Sequence, residues 1–176
     1  MDDALLALRA CEGERQAFRQ LLERHYDLIY RVAYRFFGNA ADAEDVAQDV
    51  CIALADKLRS YRGEARFSTW LYRVALNACR DRARRQASIR SLHETYAEVS
   101  ALVEAGDRDT ACRVSWAYEA LQSLDPAMRE TALLVLAEDM SHAEAAEVMG
   151  VKEATVSWRM HEVRKRLKAL KGTYHE

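Results

Sequence analysis

Apolar positions in the first forty residues recur at helical spacing. Phe18, Leu21, Leu22, His25, Leu28, Ile29 and Val32 fall on one stripe and predict a helix over 14–37. Gly38-Asn39 stops it. A second helix is predicted over about 41–60, with Val46, Val50, Ile52 and Leu54 as its apolar component and an exposed acidic side of Asp42, Glu44, Asp45 and Asp49. Arg62-Gly63 breaks it. A third helix is predicted from Ser68 to about Arg85. Trp70, Leu71, Val74 and Ala78 would face inward, and Thr69, Arg73, Asn77, Arg80 and Arg84 would form one polar stripe.

The pattern then fades. Residues 87–110 are polar, weakly periodic and net acidic (Glu94, Glu98, Glu104, Asp107, Asp109), as expected of a flexible linker. Helical periodicity resumes over about 111–123. Asp125-Pro126 opens the next helix, with Asp as cap and Pro at the first helical position. Ser141 to Glu144 reads as a capping box, opening a short helix that ends at Met149 before Gly150. A long helix follows from about 153, with Val156, Met160, Val163, Leu167 and Leu170 on one face. A short helix, a Gly turn and a second helix make a helix-turn-helix pattern. Trp158 stands on the far side of the second helix with Ala154, His161 and Lys165.

Composition agrees. One Pro and six Gly in 176 residues, with abundant helix formers, predict an all-α protein. No apolar run approaches a membrane span and no signal peptide opens the chain, so the expected location is cytoplasmic, with no membrane insertion. Cys11, Cys51, Cys79 and Cys112 form no CxxC pair and read as reduced, structural thiols. No phosphate loop, HExxH or nucleophile elbow is present, and the histidines are scattered. The expectation is no enzyme, no cofactor and no metal.

The net charge of −2 hides its distribution. Arg80, Arg82, Arg84, Arg85 and Arg90 crowd one stretch, with only Asp81 opposing. Lys152, Arg159, Arg164, Lys165, Arg166, Lys168 and Lys171 crowd another. Two basic clusters separated by an acidic middle suggest two contacts on one long polyanion. In a helix-turn-helix the start of the second helix meets base edges. Here it offers Glu153, Ala154, Thr155, Trp158 and Arg159, then His161 and Glu162. Arg164, Lys165, Arg166 and Lys168 suit phosphates. Trp158 either faces DNA or packs on the neighbouring helix or the other domain. The loop YRGEARFSTW interleaves Tyr61, Phe67 and Trp70 with Arg62 and Arg66, a composition that can hold unstacked bases. Phe67 and Trp70 fit the apolar series and read as core. Asn77, Arg80 and Arg84 read as functional.

The stretches DAEDVAQDV, FSTWLYRVALNACRDRARR, LDPAMRETALLVL and SHAEAAEVMGVKEATVSWRMHEVRKRL occur in this order. Together they resemble the extracytoplasmic-function sigma factors, over about residues 14 to 170. The resemblance implies two small helical domains joined by a flexible linker: region two over 1–86, a linker over 87–110, and a region-four helix-turn-helix over 111–176. It implies an alternative sigma factor that binds core RNA polymerase and directs initiation at promoter DNA, commonly held by an anti-sigma factor. By position, Asp42, Glu44, Asp45, Gln48 and Asp49 fall in the polymerase-binding segment. Tyr61, Arg62, Arg66, Ser68, Thr69, Asn77, Arg80 and Arg84 fall in the melting and minus-ten segment. Lys152, Ala154, Thr155, Trp158, Arg159, His161, Glu162, Lys165 and Arg166 fall on the minus-thirty-five reader. The chain departs from the family at Cys51 and Ala55, where bulky aromatics are usual, and at Ser157-Trp158-Arg159 and Glu162 in the recognition helix. A second reading of the residues is a two-domain helix-turn-helix regulator that does not join polymerase.

Overall fold

The computed structural model describes residues 2–93 and 124–173. Most of the linker expected over 87–110 and the helix expected over about 111–123 lie outside them. Every regular element among the described residues is a helix. The chain divides into two compact units, Met1–Ile89 and Arg90–Glu176.

The first unit holds α1 (Asp3–Cys11), α2 (Arg15–Phe37), α3 (Ala40–Lys57) with a 3-10 turn at Leu58–Ser60, and α4 (Phe67–His93). Helix α2 stops where Gly38 takes a left-handed φ of 74° and returns its N–H to the Tyr34 carbonyl. Asn39 then caps α3. Its Oδ1 accepts from the Asp42 backbone N–H at 2.8 Å, and its Nδ2 donates to Asp42 Oδ2 at 2.9 Å. The stripes that become buried are Leu21, His25, Ile29 and Val32 on α2, Val46, Val50 and Leu54 on α3, and Phe67, Leu71, Val74 and Cys79 on α4. Each large side chain removed from water in this way contributes about 1.5–3 kcal/mol before the entropy of ordering it.

Four features depart from the sequence pattern. Ile52, expected in the apolar stripe of α3, is 77% exposed. Its neighbours at i−2 and i+2, Val50 and Leu54, take the core, and a helix cannot turn all three inward. Helix α4 continues to His93, beyond the expected end near Arg85. Helix α1 was not expected, because DALLALRAC has no clean stripe: Leu6 and Ala7 are buried while Leu5 and Leu8 are exposed. Asp3 ties α1 to α2 instead, accepting from Arg24 Nη1 at 2.9 Å and from the buried His25 Nε2 at 2.9 Å.

The fourth departure concerns charge. Arg82 is opposed by more than Asp81. Its guanidinium bonds Asp42 Oδ1 through Nε at 2.7 Å and Asp45 Oδ2 through Nη2 at 2.7 Å. Gln86 Nε2 adds a 2.7 Å bond to the same Asp42 oxygen. Asp42, expected on an exposed face, is therefore half-buried in a clasp between α3 and α4.

The second unit holds α5 (Pro126–Ala132), continued by a π-helical turn at Leu133–Ala137, then α6 (His142–Met149) and α7 (Glu153–Thr173). Asp125 caps α5 through bonds from the Ala127 and Met128 N–H groups at 3.1 Å, with Pro126 behind it. Ser141 and Glu144 form the expected capping box, and Gly150 turns left-handed at φ 66°. Met128, Leu134, Ala145, Val148, Val156, Met160 and Val163 make the core. Thr131, fully buried, satisfies its hydroxyl on the Ala127 carbonyl at 2.7 Å.

The clasp has a pH signature. Burial pushes the Asp42 carboxyl up, but the Asn39 and Arg82 hydrogen bonds, the Arg82 charge and Gln86 outweigh it and hold it below the usual range. A lowered folded-state value means that stability is fully present above the unfolded value, about 3.9, and is lost as pH falls through the folded one. Asp42→Asn should cost about 1–3 kcal/mol at neutral pH, as lost hydrogen bonds to a charged group do. It should also flatten the decline below about pH 4. Thermal melting across pH 2.5–7 (on the order of five values spanning the window) checks both.

Candidate nucleic-acid interfaces

Three polar surfaces are built on these cores. The first is the outer face of α3. Glu44, Gln48 and Asp49 are exposed, whereas Asp45, itself exposed, is held by Arg82 and Asp42 is half-buried. The five residues expected to dock polymerase therefore split into three free groups and two that also hold α3 to α4.

The second surface lies around the loop Tyr61–Arg66 and the start of α4. Tyr61, Phe67 and Trp70 pack as one aromatic cluster, with ring centroids 5.4–5.5 Å apart. Phe67 is buried and Trp70 half-buried, so the core reading of Phe67 is the one realised. His25 joins the cluster from below, its ring 5.1 Å from Phe67. The Tyr61 hydroxyl donates to the Ala65 carbonyl at 2.9 Å and closes the loop on itself. Burial, then the charges of Asp2 and Asp3, push its phenol up. A cleft of about 520 Å³ opens here between Asp2 and Asp3 of the α1 start and Tyr61, Glu64, Arg66 and Ser68. The contribution of α1 had no signal in the periodicity. Arg62 and Arg66 are exposed, and Ser68 and Thr69 half-buried. Along α4, Asn77 and Arg84 are exposed and Arg80 is half-buried. Arg80 Nη1 donates to Asn77 Oδ1 at 2.9 Å, and Arg84 pairs with Asp81 at 2.7 Å.

The third surface is the outward face of α7. Val156, Met160 and Val163 are fully buried. Trp158 is 59% exposed, so it does not pack into the core of its own unit. Lys152, Ala154, His161, Lys165 and Arg166 are exposed with it, and Thr155, Arg159 and Glu162 are half-buried. The Lys152 carbonyl accepts from the Thr155 and Val156 N–H groups, starting the helix without a side-chain cap. Glu162 lies 3.9 Å from Lys165, and Arg166 4.0 Å from Asp125. His142 Nδ1 meets Ser157 Oγ at 2.8 Å, linking the start of α6 to α7 beside the tryptophan. The sequence marks Ser157 only as a departure from the family and His142 only as part of the capping-box stretch; no periodic signal pairs the two.

No group of three or more His, Cys, Asp or Glu side chains among the described residues is placed to hold a metal ion. Cys11 is exposed, Cys51 half-buried and Cys79 buried, and burial pushes the Cys51 thiol up. No helix among the described residues is long and apolar enough to cross a membrane.

Residues 21–89 match sigma-70 region 2, and residues 115–167 match sigma-70 region 4. The RNA polymerase sigma factor NccH of Alcaligenes xylosoxydans xylosoxydans is 33% identical, over 96% of this chain and 94% of its own length. The ECF RNA polymerase sigma factor SigM of Mycobacterium tuberculosis is 33% identical, over 97% and 85%. A structure of CnrH in complex with the cytosolic domain of CnrY superposes with a TM-score of 0.71 at 27% identity, covering 97% of each chain. The sigma factor RpoE of Bartonella quintana shares the fold, with a TM-score of 0.69 at 23% identity, over 88% of this chain and 96% of that one. The chain belongs to the extracytoplasmic-function sigma factors. It is an alternative sigma factor that directs promoter-specific transcription, with core RNA polymerase and promoter DNA as its partners; a regulator that does not join polymerase is not favoured.

The exposure of Trp158 separates stability from contact. Trp158→Ala should move folding stability by no more than about 0.5 kcal/mol, the usual range for surface changes. Met160→Ala, two positions on and fully buried, should cost about 2–5 kcal/mol. Chemical denaturation of the two variants gives the comparison.

Proposed function

We propose a division of labour among the three surfaces. The outer face of α3, through Glu44, Gln48 and Asp49 with Asp42 and Asp45 behind them, docks on a basic surface of core polymerase. The loop Tyr61, Arg62, Arg66 and the stripe Ser68, Thr69, Asn77, Arg80 and Arg84 open and hold the minus-ten element. Helix α7 reads the minus-thirty-five element through Lys152, Ala154, Thr155, Trp158, Arg159, His161 and Glu162, with Lys165 and Arg166 on phosphates. The chain acts as a cytoplasmic, non-enzymatic specificity subunit. The observation that carries this reading is that α7 buries one narrow stripe and leaves a tryptophan and a run of bases outward. A tryptophan exposed beside cations offers a DNA groove an apolar contact for base or sugar edges together with partners for phosphates. Run-off transcription with core polymerase on mapped promoters tests the whole assignment.

An anti-sigma factor is part of the proposal. CnrH, 27% identical in its solved complex, is held there by the cytosolic domain of CnrY. A partner of that kind would cover the polymerase-docking face or the basic faces of this chain until released.

Arg159 should supply a base contact worth about 1–3 kcal/mol, lost selectively at one promoter position in Arg159→Ala. Lys165→Ala and Arg166→Ala should weaken all sequences about equally and flatten the salt dependence by about one phosphate each. Binding isotherms at several salt concentrations, on wild-type and base-substituted duplexes, distinguish the two behaviours.

Ala at Asn77, Arg80 and Arg84 should impair open-complex formation while leaving core affinity unchanged. Permanganate reactivity of the opened thymines reads the first, and a pull-down with core polymerase the second. A pre-melted template should restore transcription, because the opening step is then supplied. Failure on that template would place the defect outside melting.

A further inference from the structure

Ile52 is the most exposed of the large apolar side chains in the described structure, at 77%. A single exposed apolar residue is ordinary, but the position of this one is not random. At about 100° per residue, Ile52 sits in the middle of the exposed arc of α3. Glu44, Gln48 and Ala55 lie to one side of it and Asp49 and Asp56 to the other, all exposed. The arc carries no cation between Ala40 and Asp56. Two of the acids that might have dominated it, Asp42 and Asp45, are already engaged by Arg82. What remains is an isoleucine surrounded by a thin acidic and amide rim.

That pattern is the one that tight protein interfaces use. Their centres are depleted of charge and hold an apolar anchor in a desolvated recess, while charged groups at the rim steer and select. We propose that Ile52 is the apolar anchor of the polymerase contact, seated in an apolar recess of a basic core-polymerase surface, with Glu44, Gln48, Asp49 and Asp56 as its rim. This rests on the reading of α3 as the docking helix and adds to it the residue that supplies most of the binding. Folding does not use Ile52, because Val50 and Leu54 fill the core on either side. Its β-branched side chain is also a poorer helix former than Ala.

The test uses the full chain and core RNA polymerase in competition anisotropy at several salt concentrations, with melting curves for every variant. Ile52→Ala and Ile52→Ser should lose on the order of tenfold or more in core affinity at every salt concentration. Ile52→Leu should restore most of it. The melting temperature of Ile52→Ala should not fall. Glu44→Lys with Asp49→Lys should weaken binding mainly at low salt, since rim charges are screened. If the charge reversals weaken binding and Ile52→Ala does not, the anchor is overturned and the docking helix stands. If neither weakens binding, the docking reading falls and takes the anchor with it. A fall in the melting temperature of Ile52→Ala would make Ile52 a folding residue and overturn the proposal. Sedimentation showing a dimer of the wild type that Ile52→Ser dissolves would assign the patch to a second copy of this chain and overturn it as well.

Discussion

Burial of a single stripe on each helix is the interaction on which both units stand. A helix of this diameter can turn only about a third of its surface inward, and every apolar residue outside that stripe must be covered by something else or remain in water. In the first unit the stripes of α2, α3 and α4 close on one another around Leu21, Ile29, Val46, Leu54 and Leu71. In the second, Met128, Val148, Val156, Met160 and Val163 do the same on a smaller scale. The faces left over are what the protein offers to its partners. Their chemistry follows from what the core did not need.

The polar contacts refine this arrangement more than they create it. Arg82 joins the start of α3 to the middle of α4, so the helix with the acidic face and the helix with the basic stripe hold one geometry. The helix proposed to dock polymerase and the helix proposed to open DNA are thereby mechanically linked within one unit. The Asp3–His25 contact performs a similar task at the other end. It fixes α1 against α2, and His25 passes the constraint through Phe67 to the aromatic cluster under the loop. In both places a charged or hydrogen-bonded group does what shape alone would leave loose, since apolar contacts are non-directional.

Function is separated from stability most clearly on α7. Alternate sides of one helix carry Met160, with no exposure, and Trp158, with 59%. The inward side can be changed only at the expense of the fold, whereas the outward side carries no such constraint. On α7, the positions at which the resemblance is incomplete, Ser157-Trp158-Arg159 and Glu162, fall on outward or flanking positions.

Sequence alone determined α2, α3, the start of α4 and the three helices of the second unit, because their signals are local. A 3.6-residue period, an Asp125-Pro126 start, a Ser141–Glu144 box and left-handed glycines at 38 and 150 each act over a few residues. It also determined the family, since four motifs in one order are carried by residue identity. Only the tertiary structure decided which of several apolar neighbours reached the core, as at Val50, Ile52 and Leu54. The period leaves that choice open by one position, and packing against α2 and α4 settles it. Tertiary structure likewise decided that Arg82 faces carboxylates about forty residues away, that α1 buries Leu6 and Ala7 and adds the Asp3 contacts to Arg24 and His25, and that Trp158 stays in the open. Those outcomes depend on contacts between segments distant in the chain, and no local pattern encodes a distance that folding alone brings to 3 Å (roughly one hydrogen bond).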